Sequence, residues 1–132
     1  MTVTDVLNAD AYKDAIRNPA NSNHLMVIKD ISRRIRIYAG DILLADSNNA
    51  LRVMEVGKAV YDPVVYVPKA DLVASFQPVD KSTFCPIKGD ASYVALKGEE
   101  LGWVYKSPLD MASKLANHYA FWPGKVRVVE GE

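Results

Sequence analysis

The chain has 132 residues, of which 49% are hydrophobic, so it is long enough to bury one core without disulfides or metals. Its 16 basic and 16 acidic residues leave a formal net charge of zero at pH 7. This balance argues against a general nucleic-acid binder and against a membrane-surface binder, because both depend on clustered positive charge.

The sequence also indicates where the protein resides. Its single cysteine, Cys85, cannot form an internal disulfide, which fits a reducing compartment. The first residues lack the basic start and apolar run of a signal peptide, and no apolar stretch approaches the roughly 20 residues that span a bilayer. We therefore expect a soluble, cytoplasmic protein.

Residues 1–23 are predicted to form a helical extension outside the main domain. Asn8 is a suitable cap for a short helix. The apolar stripe of this helix would consist of Ala9, Tyr12 and Ile16. Residues 21–23 are typical of a loop. The single β-rich domain is then expected to cover residues 24–132.

From His24 onward the hydrophobic residues recur with a period of two, which is typical of half-buried strands. The pattern predicts strands at residues 25–28, 34–38, 42–45, 51–56, 64–67 and 72–77. Gly40-Asp41 is predicted to be a hairpin turn. Pro63 and Pro68 bracket the strand at 64–67 and indicate a short or edge strand, since proline cannot donate to a central ladder.

Residues 83–93 are the most constrained stretch of the sequence. They combine the cysteine, a proline, a lysine and a glycine within five positions. The ring of Pro86 keeps Cys85 out of the helical region, and Gly89 permits a tight bend. We expect a rigid corner that presents Cys85 and Lys88 close together at the mouth of a strand.

A second hairpin is predicted after this corner, with its turn at Gly98-Glu99 and its strands at residues 91–96 and 101–105. In that register Val94 lies opposite Trp103. Trp103 and Tyr105 would then share one face of the hairpin, and Tyr93 would occupy the other.

One further helix is predicted near residues 108–117, with Ser107 as its cap and Pro108 in its first position. Residues 119–122 and 126–129 would close the domain as strands. With many short strands and two helices at most, the fold class is expected to be mainly β (α+β), a compact single domain of antiparallel strands.

Two groups of charged or reactive side chains stand out: Lys88 with Cys85, and Glu55 with Lys69 and Asp71. The candidate catalytic residues among them are Lys88, Cys85, Glu55 and Asp71. A neighbouring lysine charge makes a thiol more reactive, and a desolvated lysine can act as a base or form a Schiff base. Paired carboxylates at strand ends can do acid–base work. Simpler interpretations stay open, since a lone cysteine is often a small buried hydrophobe and Asp71 can cap a salt-bridged turn.

Aromatic side chains are the candidate walls of a ligand site, namely Tyr66, Tyr93, Trp103, Tyr105 and Trp122. Core packing is the default role of each one. Two or three of them converging on a pocket would instead form a platform or cage for a flat or cationic ligand. Lys88 or Lys69 would then pair with an anionic group of the ligand.

No metal site and no cofactor are expected. His24, His118 and Cys85 are zinc-ligand types, but the chain has no Cys-x-x-Cys pair and no His-x-x-x-His on a helix. It also lacks a Gly-x-Gly-x-x-Gly motif, a P-loop and a Gly-x-Ser-x-Gly elbow.

Over about residues 24–130 the sequence resembles the bacterial domain-of-unknown-function family numbered 427. The resemblance rests on Tyr-x-Pro-(basic)-x-Asp at residues 66–71 and Cys-Pro-x-Lys-Gly-x-Ala-x-Tyr at residues 85–93. Glu55 and Trp103-Val104-Tyr105 fit the same pattern. Lys69 stands where family members often carry arginine.

The resemblance implies a compact β-tent-like fold, similar to the cereblon ligand-binding and Yippee domains. Those relatives often hold zinc between two Cys-x-x-Cys knuckles, which this chain lacks, so no structural metal is implied here. The family has also carried a nucleotidyltransferase-type label. The chain contains neither a phosphate-cradling loop nor a paired-aspartate motif to support that label.

Two functions are compatible with these residues. The first is a binding domain that takes a small, anionic or planar organic ligand in an aromatic-walled cleft beside the corner at residues 85–89. The second is a cofactor-independent enzyme for a small carbonyl or carboxylate substrate. There Lys88 and either Glu55 or Asp71 would be the acid–base pair, and Cys85 would be a candidate nucleophile.

The binding domain is favoured, because no residue pair in the sequence demands catalysis. The discriminating observation is whether Lys88 and a carboxylate lie within hydrogen-bond reach inside one cleft. A scaffold for protein partners has only the aromatic residues in its favour, and a homodimer stays open.

Overall fold

The structure is a computed structural model, and it describes residues 13–131. Its strands, numbered in chain order, are β1 (Ile16–Asn18), β2 (Asn21–Asp30), β3 (Ile35–Ala39), β4 (Ile42–Ser47), β5 (Leu51–Val56), β6 (Val64–Pro68), β7 (Gln77–Cys85), β8 (Gly89–Leu96), β9 (Glu99–Val104), β10 (His118–Phe121) and β11 (Arg127–Glu130). Two short 3-10 helices are described, Lys69–Asp71 and Asp110–Leu115. Neither has the length or apolar character needed to cross a membrane.

The strands form two antiparallel sheets. The large sheet has the order β1-β2-β5-β6-β10-β9-β8-β7, and the small sheet has the order β11-β3-β4. The large sheet ends at β1 and β7 rather than closing into a barrel. The mainly β fold class expected from the sequence is confirmed.

Each face of the large sheet carries its own buried cluster. Successive residues of a strand point to opposite faces, and in β6 this alternation assigns Tyr66 and Val67 to different clusters. The first cluster joins the large sheet to the small one and includes Ile35, Ile37, Leu44, Val67 and Val104. The second lies on the other face and includes Met26, Tyr66, Ile87, Tyr105 and Leu115. Burying each such side chain contributes about 1.5–3 kcal/mol.

Residues 16–18 and 21–23, which precede His24, are part of the large sheet. β1 pairs with the start of β2, with Ile16 opposite Met26 and Asn18 opposite Asn21. The loop predicted at residues 21–23 is therefore wrong, because sheet pairing overrides the polar composition of this segment. The predicted N-terminal helix lies outside the described residues except at its end, where Ile16 belongs to β1.

The strand predicted at residues 72–77 is also wrong. Residues 73–76 are irregular, and Leu72 makes only an isolated bridge to Ala45. The next strand, β7, contains Pro78, which is tolerated because β7 pairs only with β8. β6 is short, as its flanking prolines indicate, but it lies inside the large sheet rather than at an edge.

The β8–β9 hairpin differs from its predicted register by one residue. Its turn is at Lys97-Gly98, whose φ angles of 53° and 81° suit a two-residue turn of type I′. A bulge after Val94 then places Tyr93 directly opposite Trp103. Tyr93 and Trp103 therefore share one face of the sheet, where the sequence predicted opposite faces.

The 3-10 helix Asp110–Leu115 occupies the region where a helix was predicted, but Ser107 does not cap it. Leu109 takes the cap position and makes no side-chain capping bond. The Leu109 N–H instead donates to the carbonyl of Lys88 at 2.9 Å. This bond ties the turn between β7 and β8 to the segment that precedes the helix.

Gly102 gives a test of how tightly β9 packs against β10. A Cβ at this position would lie 2.2 Å from the Ala120 carbonyl oxygen and 2.8 Å from Cδ1 of Phe121. The neighbouring backbone is held in the ladder, so we expect Gly102→Ala to lower the free energy of unfolding by about 2 kcal/mol in denaturant titrations. Gly124→Ala is the control, since nothing lies within 4 Å of its Cβ position. Equal stability of the two variants would contradict this packing.

Candidate functional site

A cleft of about 990 Å³ opens on the face of the large sheet that carries the second buried cluster. Seven of the neighbouring elements contribute to its walls: β1, β2, β5, β6, β8, β9 and the turn between β7 and β8. In β5, the period of two that buries Leu51 and Val53 also places Glu55 on this face. The cleft is thus a product of strand alternation across the sheet.

Lys88 is held at the cleft by its own backbone. Its N–H donates to the Cys85 carbonyl at 3.2 Å, and its carbonyl accepts the Leu109 N–H. Gly89 follows with a φ of 108°, and a Cβ there would lie 3.1 Å from the Leu109 nitrogen. Lys88 is only 7% exposed. The rigid corner expected from the sequence is present, with the Cys85 Sγ and Lys88 Nζ atoms 4.0 Å apart.

A chain of polar contacts leads from Lys88 to β1. The Lys88 ammonium donates to Oε1 of Glu55, and Oε2 of Glu55 lies 2.8 Å from Nε2 of His24. Nδ1 of His24 lies 3.2 Å from Nδ2 of Asn18. Because the Asn18 amide nitrogen can only donate, Nδ1 accepts and Nε2 carries the proton given to Glu55. This network fixes both charged groups of the Lys88–Glu55 pair.

Both members of the pair hold their charges at neutral pH. Burial opposes the charge on Lys88, but the hydrogen bond and the charge of the Glu55 carboxylate outweigh it and raise the pKa of Lys88 above 10.5. Burial likewise opposes the charge on Glu55, but the hydrogen bonds from Lys88 and His24, together with the Lys88 charge, hold the pKa of Glu55 below 4.5. These shifts move the pKa of Glu55 further below 7 and the pKa of Lys88 further above 7, so both groups are poorly placed to exchange protons at pH 7.

These pKa shifts predict a pH dependence of stability. The lowered pKa of Glu55 contributes stability that is complete above pH 4.5 and is lost as the pH falls through the folded-state value. The raised pKa of Lys88 contributes stability that is complete below pH 10.5 and is lost as the pH rises through its folded-state value. We expect the difference in unfolding free energy between the wild type and Glu55→Gln to be largest between these limits, as measured by denaturant titration.

Glu99→Gln is the matched control for this profile, because Glu99 is 62% exposed and lies 3.7 Å from Lys125. Its difference from the wild type should stay small across the same pH range. A Glu55→Gln difference that does not shrink in acid would contradict the assigned pair.

Two buried phenols border the Lys88 ammonium. The Tyr105 ring centroid lies 5.9 Å from Nζ, and the Tyr66 oxygen accepts the Trp103 indole N–H at 3.1 Å. Burial raises the pKa of both phenols, so both stay protonated at neutral pH. The Tyr66 hydroxyl has used its oxygen as an acceptor and keeps its own hydrogen as a donor.

The upper walls of the cleft are aromatic. Trp103 and Trp122 have ring centroids 4.5 Å apart, and the Tyr93 ring lies 6.3 Å from Trp122 with an interplanar angle of 10°. The Trp122 indole N–H donates to Glu100 at 2.9 Å. Both tryptophans of the chain therefore lie in this wall, with their polar atoms hydrogen-bonded to the protein.

The structure brings together most of the predicted site residues but not all. The residues that line the cleft include Lys88, Glu55, Tyr66, Tyr93, Trp103 and Tyr105. Cys85 does not line it, but its sulfur lies 4.0 Å from the Lys88 ammonium. Lys69 lines a different cavity, and Asp71 accepts a hydrogen bond of 2.6 Å from the Ser47 hydroxyl. Lys69 and Asp71 lie away from the cleft because β5 and β6 are antiparallel. Their pairing puts the end of β6 beside the start of β5, whereas Glu55 lies near the end of β5.

The sequence pattern does not predict the roles of His24 and Asn18. It marks His24 only as a zinc-ligand type, and within residues 13–131 no three His, Cys, Asp or Glu side chains cluster as metal ligands. The alternation of His24 with Met26 and Ile28 is a signal that places His24 on the buried face of β2. Its pairing with Glu55 depends on the register of β2 with β5, which no local pattern specifies.

A family model described as a domain of unknown function, DUF427, matches residues 27–132 of this chain. It agrees with the resemblance seen in the sequence. No curated protein matches the chain.

Proposed function

The chain belongs to the DUF427 family, a family of unknown function, and we propose from its cleft that the protein binds a small planar organic ligand through an acceptor group such as a carboxylate or carbonyl. The observation that supports this proposal is the fixed Lys88 ammonium beneath an aromatic wall. Concave, mostly apolar pockets with a few convergent polar groups are the usual form of a small-molecule site.

The polar floor of the cleft favours a hydrogen-bond acceptor. Lys88 has three N–H donors, of which Glu55 takes one and the Cys85 sulfur, at 4.0 Å, takes a second, and Tyr66 keeps an O–H donor. Both side chains line the cleft. The network through Glu55 and His24 fixes Lys88, and the Trp103 indole holds the Tyr66 hydroxyl, so binding an acceptor requires little further ordering of the protein.

The walls and the charge balance favour a planar body with little net charge. Aromatic rings such as Trp103 and Trp122 attract a flat π-system, with a gain of about 0.5–1.5 kcal/mol beyond area burial. The lysines that line the cleft, Lys58 and Lys88, are matched by two carboxylates, Glu55 and Asp62. A singly anionic or neutral ligand therefore suits the cleft better than a polyanion.

Four small probes test this proposal in titrations followed by tryptophan fluorescence: benzoate, benzamide, cyclohexanecarboxylate and benzylamine. We expect saturable binding of benzoate and benzamide, and at least about threefold weaker binding of cyclohexanecarboxylate, which lacks the planar ring. Benzylamine presents a cation to Lys88 and should bind weakest. The absence of saturable binding by both planar acceptors, or equal binding of benzylamine, would contradict the proposal.

A second candidate function is a cofactor-independent enzyme acting on a small carbonyl or carboxylate compound. The observation in its favour is the direct contact between Lys88 and Glu55 inside one cleft. Lys88 would polarise the carbonyl oxygen, Glu55 would accept a proton, and Cys85 would lie nearby as a nucleophile. We rank this function second, because the lowered pKa of Glu55 makes it a weak base.

Deuterium exchange separates the two functions. An acid–base site of this kind should catalyse exchange of the methyl protons of pyruvate in D₂O, measured by NMR, and Glu55→Gln should abolish the catalysed exchange. A binding domain should leave the uncatalysed rate unchanged.

A further inference from the structure

A second cavity, here called the lysine groove, lies between the irregular segment at residues 72–76 and strands β7 and β8. Its volume is about 530 Å³. Ser92 and Val94 of β8 line it, while Tyr93 between them borders both this groove and the cleft. Because successive residues of a strand point to opposite faces, the lysine groove opens on the other face of β8 from the cleft.

The lysine groove has an uncompensated positive charge. Three lysines line it, and no aspartate or glutamate does so within the part of the chain that the structure describes. Lys81 is partly neutralised by Glu100, at 3.3 Å, and lies over the Tyr93 ring. Lys69 and Lys106 have no ion-pair partner among residues 13–131.

Backbone hydrogen bonds hold the two lysines without an ion-pair partner at the same end of the inner strands β6 and β9. The Lys69 N–H donates to the Asn117 carbonyl at 3.0 Å, and the Asn117 N–H donates to the Tyr105 carbonyl at 3.0 Å. Lys69 follows β6 and Lys106 follows β9, on either side of the residue that precedes β10. The antiparallel pairing of β6, β10 and β9 therefore places Lys69 and Lys106 at one end of the lysine groove.

The rest of the lysine groove combines apolar side chains with hydroxyl-bearing ones. Leu72, Phe76 and Val94 supply carbon surface, and the Phe76 ring packs on Phe121 with centroids 5.5 Å apart. The hydroxyl-bearing residues of the lining are Ser75, Ser92, Tyr93 and Tyr119. Apolar surface ending at two cations suits an organic anion, because each part of such a ligand meets its complement.

We propose that the lysine groove is a second binding site, for a small organic anion whose apolar body lies on Leu72, Phe76 and Val94 and whose carboxylate or phosphate group pairs with Lys69 and Lys106. Neither lysine contributes to the cleft, so this site does not depend on the function proposed for it.

The test uses hexanoate, hexyl phosphate, hexan-1-ol and hexylammonium as probes, with ¹H–¹⁵N NMR shifts of the Ser92, Val94 and Lys106 amides as the readout. We expect both anions to give saturable shifts at these amides and the alcohol and the ammonium to bind at least about tenfold more weakly. Whichever anion binds more tightly identifies the natural head group. The proposal is overturned if hexylammonium or hexan-1-ol matches the anions, or if shifts appear only at the tryptophan indoles.

Variants test the same site independently. Lys69→Met combined with Lys106→Met should weaken hexanoate binding at least about tenfold, because two charge-assisted contacts are lost. Lys29→Met, an exposed β2 lysine outside both cavities, should leave it unchanged. If hexanoate binds the double variant as tightly as the wild type, Lys69 and Lys106 do not hold the anion. If Lys88→Met abolishes hexanoate binding, hexanoate binds in the cleft instead of the lysine groove.

Discussion

Replacing Glu55 by methionine is expected to lower the free energy of unfolding by about 3 kcal/mol. Methionine keeps an unbranched stem of similar length but leaves the Lys88 ammonium without its counter-charge. Lys88 is 7% exposed, so water can replace little of the lost interaction. The carboxylate also orients His24, which loses its partner in the variant. Denaturant unfolding at pH 7 measures the change.

A double-mutant cycle gives this prediction its control. Adding Lys88→Met to Glu55→Met removes the stranded charge, so the double variant should be more stable than Glu55→Met alone. Glu99→Met, at an exposed ion pair with Lys125, should stay within about 0.5 kcal/mol of the wild type. Additive losses in the cycle would show that Lys88 and Glu55 do not stabilise one another.

Lys88→Met is expected to preserve the fold and to weaken benzoate binding in the cleft at least about tenfold. The variant keeps the apolar contacts of the lysine stem and removes only the ammonium, so it isolates the donor that would hold the ligand. Glu55 stays hydrogen-bonded to His24 and remains partly exposed, at 18%, which limits the effect on stability. Fluorescence titration of the folded variant measures the affinity.

Lys29→Met is the appropriate control for Lys88→Met. Lys81 is less suitable, because its ammonium lies 4.2 Å from the Tyr93 ring centroid and pairs with Glu100, which binds Trp122. Benzoate binding per folded molecule that survives Lys88→Met would make Lys88 a purely structural ion-pair partner.

The sequence predicts the fold where local pattern and sheet pairing agree. The turn at Gly40-Asp41 and the strand β5 occur as predicted, because a positive φ at Gly40 and strict alternation specify them locally. Residues 21–23 were misassigned, because their strand conformation comes from pairing with β1. The turn at Lys97-Gly98 and the bulge after Val94 shift the register of the β8–β9 hairpin by one residue from the predicted register. The β-tent-like arrangement implied by the family resemblance stays a prediction.

The candidate site could be predicted in part for the same reason. Cys85 and Lys88 lie close together because Pro86 and Gly89 constrain a short local turn. The Lys88–Glu55 contact joins residues 33 positions apart, and it depends on how β5 lies relative to the turn between β7 and β8. A pattern of neighbouring residues does not show that Lys88 and Glu55 are close in space. The sequence therefore left both Glu55 and Asp71 open as the partner of Lys88.

Binding of a planar ligand above Lys88 in the aromatic cleft is tested directly by the indole N–H resonances of the protein. The chain has two tryptophans, and both Trp103 and Trp122 line the cleft. In ¹H–¹⁵N NMR spectra titrated with benzoate, both indole resonances should shift along one saturable curve in the wild type, and the same shifts should need at least about tenfold more benzoate in Lys88→Met. Indole resonances that do not respond to benzoate in the wild type, or that respond equally in Lys88→Met, would contradict binding above Lys88 in this cleft.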